Sequence, residues 1–239
     1  MLNALLGSLE PHQPSTGERK IITNSFVVAR RICQEEKPRD NGDPYEVHPI
    51  AIYESMVSKM RRLRIFDALA LAVGLNHDSL EILLDHELRS NKVKRKELDE
   101  LEHSLHRISP TSPLFFSVSV LTHRKHGKRK ETDDGYALRM LRCDDFRALW
   151  VKPEDWADNL STMTERPREK QVAKILFVEK YYERFIHRLH AVSKTHVECK
   201  RLPKEWLHLS SLLKRHLEQV LRRERMRITR TYGKAVWKK

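Results

Sequence analysis

Histidine and acidic residues in three separated segments of the chain are of the types that hold divalent metal ions. His48 stands just before a proline, His77 and Asp78 are adjacent, and Asp155 lies in a third segment. Imidazole nitrogens and carboxylate oxygens together suit a borderline-hard ion such as Mn²⁺ better than a thiolate set would. A divalent ion makes bound water acidic enough to attack a phosphate bond at neutral pH. Together with Glu81 and Asn159 in the same segments, these residues predict a metal site that hydrolyses a phosphate bond.

The spacing around His77 and Asp78 adds a further acid to this candidate site. Glu81 comes four residues after His77 and three after Asp78, so a helix would put all three on one face. The alternative is a histidine that a carboxylate merely caps near a helix end. For His48 the alternative is a surface loop, and spacing alone leaves both interpretations open.

The third segment carries Asp155, Asn159 and Thr162 at the i, i+4 and i+7 positions of one helical face. Asp155 offers an anionic oxygen, and Asn159 and Thr162 offer neutral hydrogen-bonding groups farther along the same helical face. Asp158 is expected on a different face and in contact with solvent. An ordinary polar helix face is the alternative interpretation of this segment.

The sequence also predicts several of the elements that carry or surround these segments. Residues 37–44 are dense in Gly, Pro, Asn and Asp and predict a loop, and a helix is expected from Pro49, since proline fits a first helical turn. Residues 64–85 are apolar on nearly all sides and predict one buried central helix with His77 in its C-terminal part. The apolar run 114–121 fits either a strand or a buried helix, and its helical context favours the helix.

The whole chain is predicted to be all-α, with roughly nine helices, because Gly is scarce while Leu, Lys, Arg and Glu are abundant. Residues 1–18 are expected to form a flexible N-terminal arm, residues 19–200 the helical domain, and residues 201–239 a basic C-terminal helical extension. The basic segment 122–132 is expected to be a loop, either a rim that attracts polyphosphate or a solvated surface. Residues 109–113 are expected to interrupt the helices.

The composition indicates an anionic partner. The net charge is +13 over 239 residues, which favours a phosphorylated metabolite, a nucleic acid or an anionic surface. The chain has no apolar run near the ~20 residues that a membrane span needs and no secretory signal. Three scattered cysteines, Cys33, Cys143 and Cys199, form no disulfide framework. A reducing cytoplasm is therefore the expected location.

Three segments resemble the motifs of one enzyme family. Residues 39–49 read R-x-x-G-x-P-Y-x-x-H-P, residues 77–81 read H-D-x-x-E, and residues 151–162 read V-K-x-x-D-x-x-x-N-x-x-T. In this order they resemble the RelA/SpoT-type alarmone hydrolases among the HD-domain metal-dependent phosphohydrolases. The match covers roughly residues 20–195. With no synthetase half following, the resemblance implies an HD-domain helical bundle acting as a stand-alone alarmone hydrolase.

The resemblance also implies a role for each candidate residue. Mn²⁺ would be held by four residues: His48, His77, Asp78 and Asp155. Glu81 would orient or deprotonate the attacking water, and Arg39, Asn159 and Thr162 would contact the nucleotide. The reaction implied is removal of the 3′-pyrophosphate from guanosine polyphosphates (ppGpp and pppGpp), which leaves GDP or GTP.

The chain departs from the family pattern at several positions. Ile82 replaces the second acid of the family's E-D pair, and Asp85, one turn on, is a possible substitute. Glu154 and Trp156 replace Ala and Arg beside Asp155, and Asp40 replaces a common Lys. Two alternatives therefore stay open: a phosphohydrolase of the same fold with another nucleotide substrate, or a degenerate HD-fold protein that binds nucleic acid or a protein partner. The sequence leaves the oligomeric state open.

Overall fold

The computed structural model describes residues 1–34, 36–90, 95–108, 114–126, 129–196, 199 and 203–237. The helices in this part of the chain are α1 Leu2–Gly7, α2 Thr16–Cys33, α3 Val47–Leu63, α4 Ala68–Asn76, α5 Ser79–Ser90, α6 Arg95–Ile108, α7 Leu114–Leu121, α8 Asp133–Met140, α9 Phe146–Ser161, α10 Arg168–Ser193 and α11 Pro203–Tyr232. Short 3-10 turns span Glu10–His12 and Lys234–Trp237, and β1 Lys125–His126 pairs antiparallel with β2 Arg129–Lys130. The predicted all-α class is confirmed, with eleven α-helices in the described residues instead of about nine.

Helix α4 lies at the centre of the fold and contacts α2, α3, α7 and α9. It is buried almost all round, as its apolar surface predicts. The carboxylate of Asp67 caps its start by accepting a hydrogen bond from the backbone N of Ala70 at 2.9 Å. A Cβ on Gly74 would lie 2.9 Å from the sulfur of Met56, so glycine allows α3 to cross closely here.

The central apolar segment forms two helices, and the prediction of one helix over residues 64–85 is wrong. Helix α4 ends at Asn76 and α5 begins at Ser79, with His77 and Asp78 in the turn between them. The buried amide of Asn76 donates to backbone carbonyls of Ala72 and Ser25 at 3.1 and 3.2 Å. Asparagine is a poor helix former because such side-chain bonds compete with the helical pattern. In a continuous helix the side chains of His77 and Asp78 would point about 100° apart. These residues lie in the turn instead, and both side chains approach Nε2 of His48.

Helix α9 carries the third polar segment. It begins at Phe146, where the side chain of Asp145 accepts a hydrogen bond from the backbone N of Ala148 at 2.7 Å. Pro153 lies inside this helix. Helix α9 packs on α3, α4, α10 and α11, so its polar face is held against the centre of the fold.

The N-terminal residues differ from the expected flexible arm. Helix α1 is followed by a 3-10 turn, and Leu5 and Leu9 are buried in the core. The hydroxyl of Tyr53 donates to the backbone carbonyl of Leu5 at 3.0 Å. The leucines of this segment find an apolar surface on the helical domain, whereas the expectation rested on its Gly and Pro content alone.

Helix α11 is integrated into the core rather than appended to it. It packs against α3, α9 and α10, and its inward side chains are buried, namely Trp206, Leu209, Leu213, Leu217 and Leu221. Its other face carries the arginines. The boundaries predicted at residues 18 and 200 stay a prediction.

The basic segment 122–132 contains the small hairpin of β1 and β2 where a loop was expected. Residues 114–121 form α7, as expected. The interruption expected at residues 109–113 lies outside the described residues. None of the helices in the described part combines the length and the apolar character needed to cross a membrane.

Candidate metal centre

Helices α3 and α9 and the turn between α4 and α5 bring the four candidate metal ligands together. His48 is in the first turn of α3, His77 and Asp78 lie between α4 and α5, and Asp155 is in the second half of α9. His48, His77 and Asp155 are buried, while the side chain of Asp78 is 25% exposed. The cluster therefore has one partly open side.

The atoms that face one another are spaced like neighbouring ligands of one ion. The Nε2 atoms of His48 and His77 are 3.1 Å apart, and Oδ2 of Asp78 lies 3.4 and 3.1 Å from them. Oδ1 of Asp155 lies 3.2 Å from Nε2 of His48 and 3.8 Å from that of His77. In an octahedral site with bonds of about 2.1 Å, neighbouring ligand atoms are about 3 Å apart. Ligand atoms of His48, His77 and Asp78 all lie within 4.8 Å of one another, and Oδ1 of Asp155 adjoins the two imidazoles of this group.

The outer nitrogens of both imidazoles fix their tautomers. Nδ1 of His48 is 2.6 Å from Oδ2 of Asp158, and Nδ1 of His77 is 2.8 Å from the carbonyl oxygen of Gly74. A carboxylate and a carbonyl can only accept, so each Nδ1 carries the proton. Each Nε2 then presents a lone pair to the other unless a proton or a cation lies between them. Such outer partners are typical of metal-binding histidines.

The cluster requires positive charge from an added cation or proton. Burial acts to lower the pKa of His48, but hydrogen bonds that its imidazole donates to Asp155, Asp158 and Asp78 raise it well above its usual value. Burial acts to raise the pKa of Asp78, yet the neighbouring imidazoles hold it well below its usual range. A donor set that attracts a proton this strongly also fits a divalent cation, so the residues present fit a metal ion.

Asp155 is held on both oxygens. Lys152 donates to Oδ2 at 2.6 Å, and the amide nitrogen of Asn159 donates to Oδ1. Burial opposes ionisation of Asp155, but Lys152 and the imidazole of His48 lower its pKa far below the usual value. The ammonium of Lys152 also lies 4.9 Å from the ring centre of Tyr136. Asp155 is therefore ionised and fixed in orientation.

Arg39 ties the loop before α3 to the end of α9. Its guanidinium donates to Asp158 at 2.7 Å, to Asn159 at 3.3 Å and to Thr162 at 2.7 Å. The loop itself turns at Gly42, whose φ of 85° favours glycine. The structure thus brings Arg39, Asn159 and Thr162 together, and the predicted contacts of these three with a nucleotide stay a prediction.

Asp158 is not solvated on a separate face, and that expectation is wrong. Its Oδ2 accepts from both His48 and Arg39, and its side chain is only 16% exposed. The i+3 spacing from Asp155 was the available signal, since residues three apart share a helix face. Sequence reasoning also missed Tyr45, whose hydroxyl donates to Oδ2 of Asp78 at 2.7 Å.

Glu81 lies beside the hairpin rather than free in the cavity. Lys130 donates to its Oε1, and Nδ1 of His123 is 3.1 Å from its Oε2. Burial opposes ionisation, yet the His123 and Lys130 contacts lower the pKa of Glu81 to about 2. The carboxylate of Asp85 is 3.9 Å from the same ammonium, so Asp85 shares this face with Glu81. Ile82 is 5% exposed and belongs to the core.

The other departures from the family pattern have structural partners. Trp156 is fully buried, with its ring 4.7 Å from that of Phe185. Glu154, also buried, pairs with Lys59 at 2.9 Å. Asp40 forms an ion pair with Arg166, which neutralises one arginine near the loop of Arg39.

Comparison with known proteins supports a link to guanosine polyphosphate enzymes. The chain is 28% identical over 191 residues, 79% of its length, to a GTP pyrophosphokinase of Streptomyces antibioticus. It is 29% identical over 153 residues, 63% of its length, to a guanosine-3′,5′-bis(diphosphate) 3′-pyrophosphohydrolase of Vibrio cholerae. The chain spans about a fifth of the length of these curated relatives, 20% and 19% respectively. No protein-family model matches the chain.

Proposed function

We propose that this chain is a metal-dependent pyrophosphohydrolase of the RelA/SpoT-type HD-domain family that removes the 3′-pyrophosphate from guanosine polyphosphates. The observation that carries the proposal is the pair of Nε2 atoms 3.1 Å apart on His48 and His77, flanked by carboxylates of Asp78 and Asp155. The relative from Vibrio cholerae, which bears the name of this reaction, supports the choice of substrate. A second relative with that name, from Borreliella burgdorferi, is 25% identical over 154 residues.

The proposed cofactor is Mn²⁺, held by His48, His77, Asp78 and Asp155. When bound, such an ion lowers the pKa of water and offsets the negative charge of the pyrophosphate. The mixed set of two imidazoles and two carboxylates supports Mn²⁺ over ions that prefer thiolates. Asp158 and Gly74 would keep the imidazoles oriented by accepting their Nδ1 protons.

Glu81 is the proposed proton acceptor for the attacking water. With Lys130 and His123 bound to it, its pKa of about 2 makes it a weak base. A polyphosphate that enters beside the hairpin competes for both cationic partners, and each contact that Glu81 loses raises its pKa toward the usual value. The attacking water transfers a proton to Glu81 as its oxygen bonds to phosphorus, the bond from phosphorus to the 3′ oxygen breaks, and that oxygen takes up the proton from Glu81. Pyrophosphate leaves, and GDP or GTP remains.

Arg39, Asn159 and Thr162 are proposed to form the nucleotide side of the site. Arg39 has five N–H donors, and three of them donate hydrogen bonds to Asp158, Asn159 and Thr162. Two donors remain for the nucleotide. The Arg39 side chain is only 9% exposed, so its contact with the nucleotide would be made through these donors.

The proposed setting is the cytoplasm. None of the three cysteines forms a disulfide bond, which suits a reducing compartment. The net charge of +13 suits a polyanionic nucleotide substrate.

The proposal is tested by pyrophosphate release from ppGpp after chelation and again after addition of Mn²⁺. NADPH and the ordinary nucleoside triphosphates serve as alternative substrates. We expect release from ppGpp only with metal, and loss of release in His77→Ala and Asp155→Ala. Turnover that survives both substitutions would refute the site. Turnover of another nucleotide in place of ppGpp would favour the phosphohydrolase alternative, in line with the Asp40–Arg166 ion pair near the nucleotide side.

A non-catalytic HD-fold protein is the second candidate. Two observations favour it. Ile82 is buried where the family has an acid, and the carboxylate of Glu81 is already bound by Lys130 and His123. Metal binding with no turnover of any nucleotide would support this candidate. Binding of RNA or DNA that weakens steeply with salt would then identify its partner as nucleic acid.

A further inference from the structure

A buried ion pair lies on the far side of the helices that carry the metal centre. The ammonium of Lys59 on α3 is 2.9 Å from Oε2 of Glu154 on α9. It also contacts the hydroxyl of Ser55 at 2.8 Å and Nδ1 of His216 on α11 at 3.2 Å. Lys59 is 9% exposed and Glu154 is 2% exposed, so the pair forms a rigid polar floor.

A cavity of about 430 Å³ opens over this floor, between α3 and α11. Its polar walls consist of Ser55, Ser58, Arg62, Arg215, His216 and Gln219. The volume falls within the ~300–1,000 Å³ that is usual for small-molecule sites.

The charges of this cavity are not balanced. Arg62 from α3 and Arg215 from α11 have no carboxylate partner among the residues that the structure describes, whereas Arg147, for example, is paired with Asp67 at 2.9 Å. Lys59 is already compensated by Glu154. Two guanidinium groups on neighbouring helices thus face the same cavity, and their forked donors match the oxygens of phosphate groups.

We propose that the cavity between α3 and α11 is a second binding site, for a small molecule bearing phosphate groups. Arg62 and Arg215 bind the phosphates, and Ser58 and Gln219 supply neutral hydrogen bonds. The pair of Lys59 and Glu154 joins α3 to α9, and the contact of Lys59 with His216 joins α3 to α11. This site needs no metal ion and is independent of the proposed hydrolysis.

The second site is separate from the metal centre but shares its helices. Lys59 is eleven residues after His48 along α3, which corresponds to roughly 16 Å. Glu154 and Asp155 are adjacent in α9, one in contact with Lys59 and the other with His48. A ligand in the cavity therefore contacts the elements that position two of the candidate metal ligands.

Titration calorimetry with inorganic pyrophosphate and with GTP, on metal-stripped full-length protein at low salt, tests the site. The double variant Arg62→Ala/Arg215→Ala removes both unpaired cations. The matched control Arg142→Ala/Arg222→Ala removes two exposed arginines that lie outside the cavity and have no ion pair among the described residues. His77→Ala reports on the metal centre. Lys59 is left intact because its loss would strand a buried carboxylate.

We expect pyrophosphate and GTP to bind at least about tenfold more weakly to Arg62→Ala/Arg215→Ala than to the control. Arg62→Lys/Arg215→Lys should retain part of the affinity, and His77→Ala should leave it unchanged. Equal affinity in the alanine and control variants would overturn the proposal. So would binding of a single-stranded RNA, but of neither pyrophosphate nor GTP, because the surface would then be a nucleic-acid interface.

Discussion

His48 and Asp158 are joined by a 2.6 Å contact between Nδ1 and Oδ2. The same carboxylate oxygen accepts a hydrogen bond from Arg39 at 2.7 Å. Asp158 therefore connects an imidazole of the candidate metal centre to Arg39, which is proposed to contact the nucleotide. Any change at Asp158 should disturb both halves of the site.

Asp158→Ala should weaken Mn²⁺ binding by about 10–100-fold, the usual effect of removing an outer partner of a metal-binding histidine. Asp158→Asn keeps an acceptor for the Nδ1 proton and should have a smaller effect. Direct metal titration of the chelator-treated protein measures both. Asp144→Asn, at an exposed carboxylate that pairs with Arg188, is the matched control. Equal Mn²⁺ affinity in Asp158→Ala and the control would contradict the proposed role.

Part of the site was predictable from local sequence. The order of His48, His77-Asp78 and Asp155 could be read directly, because each stands in a short motif with fixed internal spacing. The contact between Glu81 and Lys130 could not, since it joins helix α5 to a hairpin that has no strand pattern, 49 positions farther along the chain. Pairings of this kind depend on how the helices pack.

The fold was predictable in class but not in detail. Helical periodicity identified α2, α10 and α11, each of which buries apolar side chains along one face. It could not locate the turn at His77. The segment is apolar on all sides, so it has no polar face whose position would shift where one helix ends and the next begins. The burial of Leu5 and Leu9 likewise depends on a distant apolar surface that the local composition does not reveal.

Glu81→Gln should reduce stability in a pH-dependent way. The pKa of Glu81 is lowered from 4.5 to about 2, so its ionised form stabilises the fold above the unfolded-state pKa, and this contribution is lost as the pH falls through the folded-state value. The variant should lose on the order of 2–3 kcal/mol at pH 6, with roughly half of the difference gone by pH 3 and the rest lost as the pH falls through the folded-state pKa of about 2. Urea unfolding of the metal-free wild type and variant measures this difference. A difference that stays constant between pH 6 and pH 3 would mean that Glu81 is not held ionised by Lys130 and His123.

Ile82→Asp should destabilise the protein instead of restoring the acid of the family pattern. Ile82 is 5% exposed and lies in the core, so an aspartate there would be buried without a partner. We expect a loss of at least about 3 kcal/mol in the free energy of unfolding. Ile82→Val, with an expected loss of about 0.5–1.5 kcal/mol, controls for the change in packing. A stable Ile82→Asp protein with faster release of pyrophosphate would show that position 82 can turn toward the metal centre.

Arg39→Ala should raise the KM for ppGpp and also weaken Mn²⁺ binding, because Arg39 holds Asp158 as well as Asn159 and Thr162. Arg39→Lys keeps the positive charge but cannot reproduce the forked contacts, so it should restore metal affinity more than KM. Steady-state kinetics at saturating Mn²⁺ separates the two effects. Arg30→Ala, which removes an exposed arginine paired with Glu46, is the matched control. If Arg39→Ala changed Mn²⁺ affinity alone and left KM at the control value, Arg39 would be a positioning residue for His48 with no part in nucleotide binding.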